Sequence, residues 1–307
     1  MRRYRADRAT ATAYSLAEGP VWDHRTDELV WVDIHLGDVH RGILHAGQIR
    51  PISRTHVDAT VGAVALGPSG NLLVAGHQQL LELAADGSTS AVTRLVPNKQ
   101  KRRLNDGKTD PAGRFLVGTL SLGAEGPETL YQVHRDGQVV IVDDDLGMSN
   151  GLGWSSDGTV LYSVDTGRQV IWRRTYDVPS GRWGRRELFT RVSDGSPDGL
   201  CVDVTGCVWL AVWGTGQVRK FEPSGRQVAV VDIDAPYVSC PTFAGSDLGT
   251  LVVTTAIDDL DDDRRAEHPK SGALFTARVD AVGTPSVAWG GLRARLTSDV
   301  PPHQEKP

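Results

Sequence analysis

The feature that most narrows the fold is a hairpin unit repeated six times along the chain. Its clearest copy is Ser196-Pro-Asp-Gly-Leu-Cys-Val-Asp-Val-Thr-Gly-Cys-Val-Trp-Leu-Ala-Val-Trp213, a turn carrying one carboxylate, an alternating strand, a second turn at Asp203 to Gly206 and an apolar strand. The apolar strand returns as Glu28-Leu-Val-Trp-Val, Asn71-Leu-Leu-Val-Ala, Arg114-Phe-Leu-Val-Gly, Thr159-Val-Leu-Tyr-Ser, Cys207-Val-Trp-Leu-Ala and Thr250-Leu-Val-Val-Thr, at spacings of 43, 43, 45, 48 and 43 residues. A period of about 40 to 50 residues with several short strands per unit is the signature of a β-propeller. Six units imply an all-β, six-bladed β-propeller.

A length of 307 residues suits one such domain. The expected layout is a single propeller over residues 1–292 and a flexible tail, rich in Pro and charge, over 293–307. A strand at Thr10 to Tyr14 is expected to close the ring against the last blade, because closure removes the free sheet edges that invite aggregation.

Equivalent positions in the repeats point to a site. Nine residues before each apolar strand stand Gly62, Asn105, Asn150, Asp198 and Pro241, and ten before the first stands Glu18. Rotational symmetry should gather these on one ring at the mouth of the innermost strands. Four of the six, Glu18, Asn105, Asn150 and Asp198, are oxygen donors. Arg103 lies two residues before Asn105, so strand alternation turns it towards the same mouth. Asp106 and Asp110 read as turn caps, Asp165 as structural, and Glu125 as a loop residue that overhangs the site.

Composition excludes several classes. The net charge of −5 gives no electrostatic case for nucleic acid, and the cluster Lys99 to Arg102 reads as a solvated loop. No apolar run reaches the 18 residues or so of a membrane span, and the N-terminus lacks the apolar core of a signal peptide, so a cytoplasmic protein without a membrane partner is expected. Cys201, Cys207 and Cys240 form no framework. The acidic insertion Asp258 to Arg265 lacks the Gly and the final Glu of an EF-hand loop and reads as a solvated surface loop.

Two carboxylates with one or two amide carbonyls, free of Cys and His, form a hard-oxygen set suited to a divalent ion such as Ca²⁺, Mg²⁺ or Mn²⁺. Three ligands, Glu18, Asn150 and Asp198, leave room for water and a substrate oxygen. Such an ion polarises an ester carbonyl and lowers the pKa of bound water from about 15.7 towards neutrality. Asp198 is also placed to act as general base, while Arg103 and Asn105 are placed to hold hydroxyl groups. A polyhydroxylated cyclic ester would use all of these.

The runs Ala17-Glu-Gly-Pro-Val-Trp with Val32-Asp, Arg103-Leu-Asn-Asp-Gly-Lys-Thr-Asp-Pro-Ala-Gly-Arg with Val117-Gly-Thr, Ser149-Asn-Gly-Leu-Gly-Trp-Ser, Pro197-Asp-Gly-Leu-Cys-Val-Asp and Ser271-Gly-Ala-Leu-Phe resemble the regucalcin (SMP-30)/gluconolactonase family over about residues 15 to 291. The resemblance implies a six-bladed propeller that hydrolyses sugar lactones with one divalent metal, calcium foremost and zinc, manganese, magnesium or iron(II) as alternatives. Its metal ligands fall on Glu18, Asn150 and Asp198 and its substrate contacts on Arg103 and Asn105. An acidic loop residue after blade three falls on Gly123 or Glu125. The expected partner is a small sugar lactone, and the expected state a monomer or weak homo-oligomer. Organophosphate or other ester hydrolysis, and calcium binding without catalysis, are the competing functions.

Overall fold

The computed structural model describes residues 1–291, so the expected tail at 293–307 lies outside the described residues. Six antiparallel sheets follow one another along the chain. Their innermost strands are Ala17–Asp23, Ala63–Leu66, Arg102–Thr109, Ser149–Trp154, Ser196–Val202 and Val238–Ala244. Each pairs with the apolar strand that follows it, and successive inner strands pack against one another until the sixth returns to the first. This is the six-bladed β-propeller expected from the repeat.

The apolar strands are continuous rather than alternating because both faces of every blade are covered by the next blade. Val208, Trp209, Leu210, Ala211 and Val212 are all fully buried. Between blades five and six, Trp209 meets Phe243 edge to face, with ring centroids 5.7 Å apart at 88°. Leu251, Val253 and Phe275 complete that layer. Each such large side chain contributes roughly 2–3 kcal/mol by leaving water.

Closure differs in detail from the expectation. Residues 10 to 14 form no strand. Instead Asp7–Arg8 pairs with Phe275–Arg278 as the fourth strand of blade six, and Arg2–Arg5 adds to Gln227–Asp232 of blade five in parallel. The segment after them is held by single contacts, with the amides of Ala9 and Thr10 donating to the Leu274 carbonyl. The first residues of the chain thus tie together blades that end more than 220 residues later, which is the edge protection the fold needs.

The turn that joins the first two strands of a blade is fixed by a buried carboxylate in several repeats. Asp203 accepts from the amides of Thr205 and Cys207, from Trp209 Nε1 at 2.9 Å and from Lys220 Nζ at 2.9 Å. Asp110 does the same for Ala112 and Arg114, as expected of a turn cap, and also accepts from the Tyr176 hydroxyl. Burial alone would raise the Asp203 pKa, but the hydrogen bonds from Thr205, Trp209 and Lys220 win and hold it below the ordinary carboxylate value.

Removing this carboxylate strands a buried ammonium and an indole N–H. Asp203→Ala is therefore expected to cost about 3 kcal/mol in urea unfolding. Because the folded-state pKa is depressed, the carboxylate's contribution is complete above the ordinary carboxylate range and fades as pH falls through the folded value. The gap between wild type and variant should close on acidification.

Candidate functional site

The inner strands do not pair regularly. In blade three Leu104 faces Thr119 and Gly107 faces Val117, so three steps along one strand match two along the other. The same slip separates Ser149 from Leu152, Pro197 from Leu200, Val238 from Pro241 and Glu18 from Val21. Five blades thus carry a β-bulge of one extra residue at the same height. A bulge interrupts the in-and-out alternation and re-aims side chains. Asn105, Asn150 and Asp198 occupy the same place in it, immediately after the last upper pair.

Two sequence assignments shift with this register. In blade six the place belongs to Ser239, not Pro241, and the Ser239 hydroxyl is taken up by the Ala17 carbonyl of blade one at 2.7 Å. Glu18 stands one place earlier than its partners, still paired with Val32, and its Oε2 accepts from the Gly19 amide at 2.7 Å. Gly62 lacks a side chain for a steric reason. A Cβ there would lie 2.5 Å from the Asn105 carbonyl oxygen and 2.7 Å from that of Leu104.

The structure draws Glu18, Arg103, Asn105, Asn150 and Asp198 together, each between 5% and 8% exposed. Arg103 Nη1 donates to Asn105 Oδ1 at 2.7 Å and Asn105 Nδ2 donates to the Ser149 carbonyl at 2.8 Å, so the pair is locked across the seam between blades three and four. Asn150 Nδ2 lies 3.2 Å from Thr166 Oγ1, which in turn donates to the Pro197 carbonyl. The Asn150 side chain also works against the rise in the Asp198 pKa. Among the described residues no donor reaches Asn150 Oδ1.

Asp106 is the residue that sequence reasoning missed. Its Oδ1 accepts from the Gly107 amide, as a cap would. Yet the bulge turns it, beside Asn105, into the channel, where its charge acts on both Glu18 and Asp198. The adjacent pair Asn-Asp followed by Gly was the available signal. Below it Lys108 donates to the Leu200 carbonyl at 3.2 Å. Asp106, Lys108 and Leu200 line a cavity of about 500 Å³ that continues the channel towards the far face, where Thr284 to Val287 cross it.

Electrostatically the ring is short of positive charge. Burial, then the charges of Asp198 and Asp106, push Glu18 well above the usual carboxylate range. Burial and Asp106 raise Asp198, against the Asn150 side chain and Arg103. Burial lifts Asp106 to about 6, opposed by Lys108. Arg103 is pulled down to about 10 by burial, against the attraction of Glu18, Asp198 and Asp258, and stays a cation at neutral pH. Among the described residues no three His, Cys, Asp or Glu side chains are placed to hold a metal ion by themselves, so a hard divalent cation here would need the Asn150 amide oxygen as well as carboxylates.

Glu125 is not part of this group. It is exposed, its carbonyl accepts from Arg102 at 2.5 Å, and it lines a separate small pocket with Arg102 and Tyr131. The acidic insertion is only partly a loop. Asp262–Glu267 forms a short helix capped by Asp261, and Leu260 before it is buried against Tyr237 and Ala256. All three cysteines are buried and unpaired.

The family model described as SMP-30/Gluconolactonase/LRE-like region matches residues 16–257. The chain is 31% identical over 285 residues to the regucalcin of Xenopus laevis, covering 90% of this chain and 94% of that one. It is 32% identical over 284 residues to the pentonolactonase XacC of Haloferax volcanii, covering 91% and 96%. Its fold superimposes with a TM-score of 0.88 on a crystal structure described as a calcium-binding protein, regucalcin, from Agrobacterium tumefaciens, at 27% identity over 96% of this chain and all of that one. The chain belongs to the SMP-30/gluconolactonase family.

The tight passage of blade two against blade three is testable. Gly62→Ala presses a methyl group on backbone that cannot yield, and should lower the denaturant midpoint by an amount equivalent to about 1–3 kcal/mol with an unchanged m value.

Proposed function

We propose that this member of the SMP-30/gluconolactonase family hydrolyses a sugar lactone to its aldonic acid, with one divalent cation held by Glu18, Asn150 and Asp198. The observation that carries the reading is the convergence of buried carboxylates from three blades with the unpartnered Asn150 carbonyl oxygen of a fourth. The match to a family that includes a pentonolactonase supports the substrate class. The description of a related structure as calcium-binding makes Ca²⁺ the first ion to test.

When bound, such an ion polarises an ester carbonyl and acidifies water. Asp198 takes the proton of the attacking water. Its carboxylate is only 8% exposed, which keeps bulk water from competing for that role. Arg103 donates to the lactone's oxygens from a guanidinium already fixed by Asn105, so little side-chain freedom is lost on binding. Thr166 holds Asn150 in place. The ring C–O bond breaks, leaving a carboxylate and a hydroxyl group, and the proton held by Asp198 is available to the departing alkoxide.

Asp198→Ala should reduce lactone turnover by at least about 100-fold while the thermal transition persists. Dialysis against a chelator should do the same reversibly, with activity on gluconolactone, xylonolactone or arabinolactone returning as single metals are added back. Turnover that survives chelation would remove the metal from the mechanism. Cleavage of a phosphotriester in preference to every lactone would favour the ester-hydrolase alternative, and metal binding without any turnover the calcium-binding one.

A further inference from the structure

The mouth of the channel is built from the residues that follow the second strand of each blade. In blade one these are Ile34 and His35, after Glu28–Asp33, and in blade six Ala256 to Asp258, after Thr250–Thr255. Both segments are fastened just ahead of Glu18. Ala256 bridges Leu16, and the amides of Ile257 and Asp258 both donate to the Ser15 carbonyl at 3.1 Å. The Ser15 amide in turn donates to Asp33 Oδ2 at 2.9 Å. Leu260 then anchors the insertion in a buried cluster with Tyr237 and Ala256, with Leu16 and Trp213 against it. Asp258 is therefore held in a defined position, its amide bonded to Ser15, which stands three residues before Glu18 in the chain.

A polyhydroxylated ligand at this mouth needs acceptors for its O–H groups as well as donors for its oxygens. On the proposed reading the oxygens of Glu18, Asn150 and Asp198 are turned to the cation and not to the ligand's hydroxyl groups. Arg103 only donates. Asn105 Oδ1 already accepts from Arg103, and its amide group is bound to Ser149. Asp58, before the inner strand of blade two, accepts from the amides of Ala59 and His77. Asp258 is different. Its side chain is 41% exposed, its Oδ2 lies 3.4 Å from His35 Nδ1, and no hydrogen bond to Oδ1 is formed among the described residues. Its charge acts on Arg103 together with those of Glu18 and Asp198. Glu125 makes no such contribution there.

We infer that Asp258 is a specificity-determining residue of the channel mouth, accepting hydrogen bonds from substrate hydroxyl groups opposite the Arg103 donor, with His35 positioning its carboxylate. The assignment rests on the lactonase reading and names the feature of the substrate that is read, its free hydroxyl groups. An unsubstituted lactone of the same ring size offers Asp258 nothing to bind.

The test compares wild type, Asp258→Ala, Asp258→Asn and Glu125→Ala, in the metal-loaded full chain, on gluconolactone and on unsubstituted δ-valerolactone. For Asp258→Ala, kcat/KM on gluconolactone should fall about tenfold to a hundredfold, mostly through KM, while the valerolactone value changes less than twofold. Asp258→Asn, which keeps an acceptor, should recover part of the loss, and Glu125→Ala should match wild type on both lactones. Equal losses on the two lactones, or a lowered thermal midpoint that accounts for them, would reduce Asp258 to a structural anchor and overturn the inference. Unchanged gluconolactone kinetics in Asp258→Ala would overturn it with the lactonase reading intact. A wild-type protein inert towards both lactones would remove that reading and this inference together.

Discussion

The bulge at the top of the inner strands is the constraint on which the site depends. A regular strand would send neighbouring residues to opposite faces, so no single blade could offer the channel two consecutive side chains. The extra residue breaks this rule at one height in five blades. It lets Asn105 and Asp106 enter the channel together and aims Asn150 and Asp198 inward from their own blades. The cost falls on the backbone, because the displaced residues have fewer ladder hydrogen bonds. Neighbouring blades offset it by close approach, through Asn105 to the Ser149 carbonyl, Thr166 to the Pro197 carbonyl and Ser239 to the Ala17 carbonyl. Glycine is required where the approach is tightest. A Cβ on Gly151 would stand 2.5 Å from the Asp198 carbonyl oxygen, and one on Gly199 2.4 Å from Cys240 Sγ.

That geometry concentrates like charge in a dry place. The protein alone balances Glu18, Asp106 and Asp198 with Arg103 and Lys108, and the raised proton affinities of the three carboxylates express the shortfall. Such a site lowers the stability of the fold in the absence of a counter-ion, because each buried charge has left water without full compensation. The rest of the propeller carries this burden through its inter-blade aromatic layers and its capped turns. Asp203 illustrates the opposite use of the same residue type, since there every oxygen meets a donor and the pKa falls instead of rising.

Most of the fold was legible because the repeat is a property of spacing, and spacing survives in the linear order. The inward set of Glu18, Asn105, Asn150 and Asp198, with Arg103 beside it, followed from the same equivalence. What the linear order hid was anything decided by register or by distant segments. Asp106 follows Asn105 directly, and alternation argues against both facing one way until the bulge is known. Pro241 was one such casualty, displaced by Ser239. Closure by Arg2–Arg5 and Asp7–Arg8 was hidden for another reason: these strands are short and charged, as edge strands are, and carry no apolar pattern. Glu125 looked eligible from its place in a Gly-rich loop, but Arg102 binds that loop's carbonyl groups and holds it at a separate pocket.

The two ends of the described chain give the channel its polarity. The N-terminal strands seal blades five and six at the rim, whereas residues 282 to 290 run across the far face. There Val204 donates to Val282, Gly283 to Leu248, Trp289 to Leu66 and Gly290 to Gly113. These bonds join that crossing to blades five, six, two and three, over the cavity lined by Asp106 and Lys108. A molecule that needs the ring oxygens therefore meets a tethered crossing on one side and, on the other, loops whose side chains include His35, Trp213 and Asp258. Selectivity can then be altered on the loop side without disturbing the bulges that hold the oxygens, because the two sets of residues lie on different parts of each blade. The rigid inner strands set what chemistry is possible, and the short segments after each second strand decide which molecule reaches it.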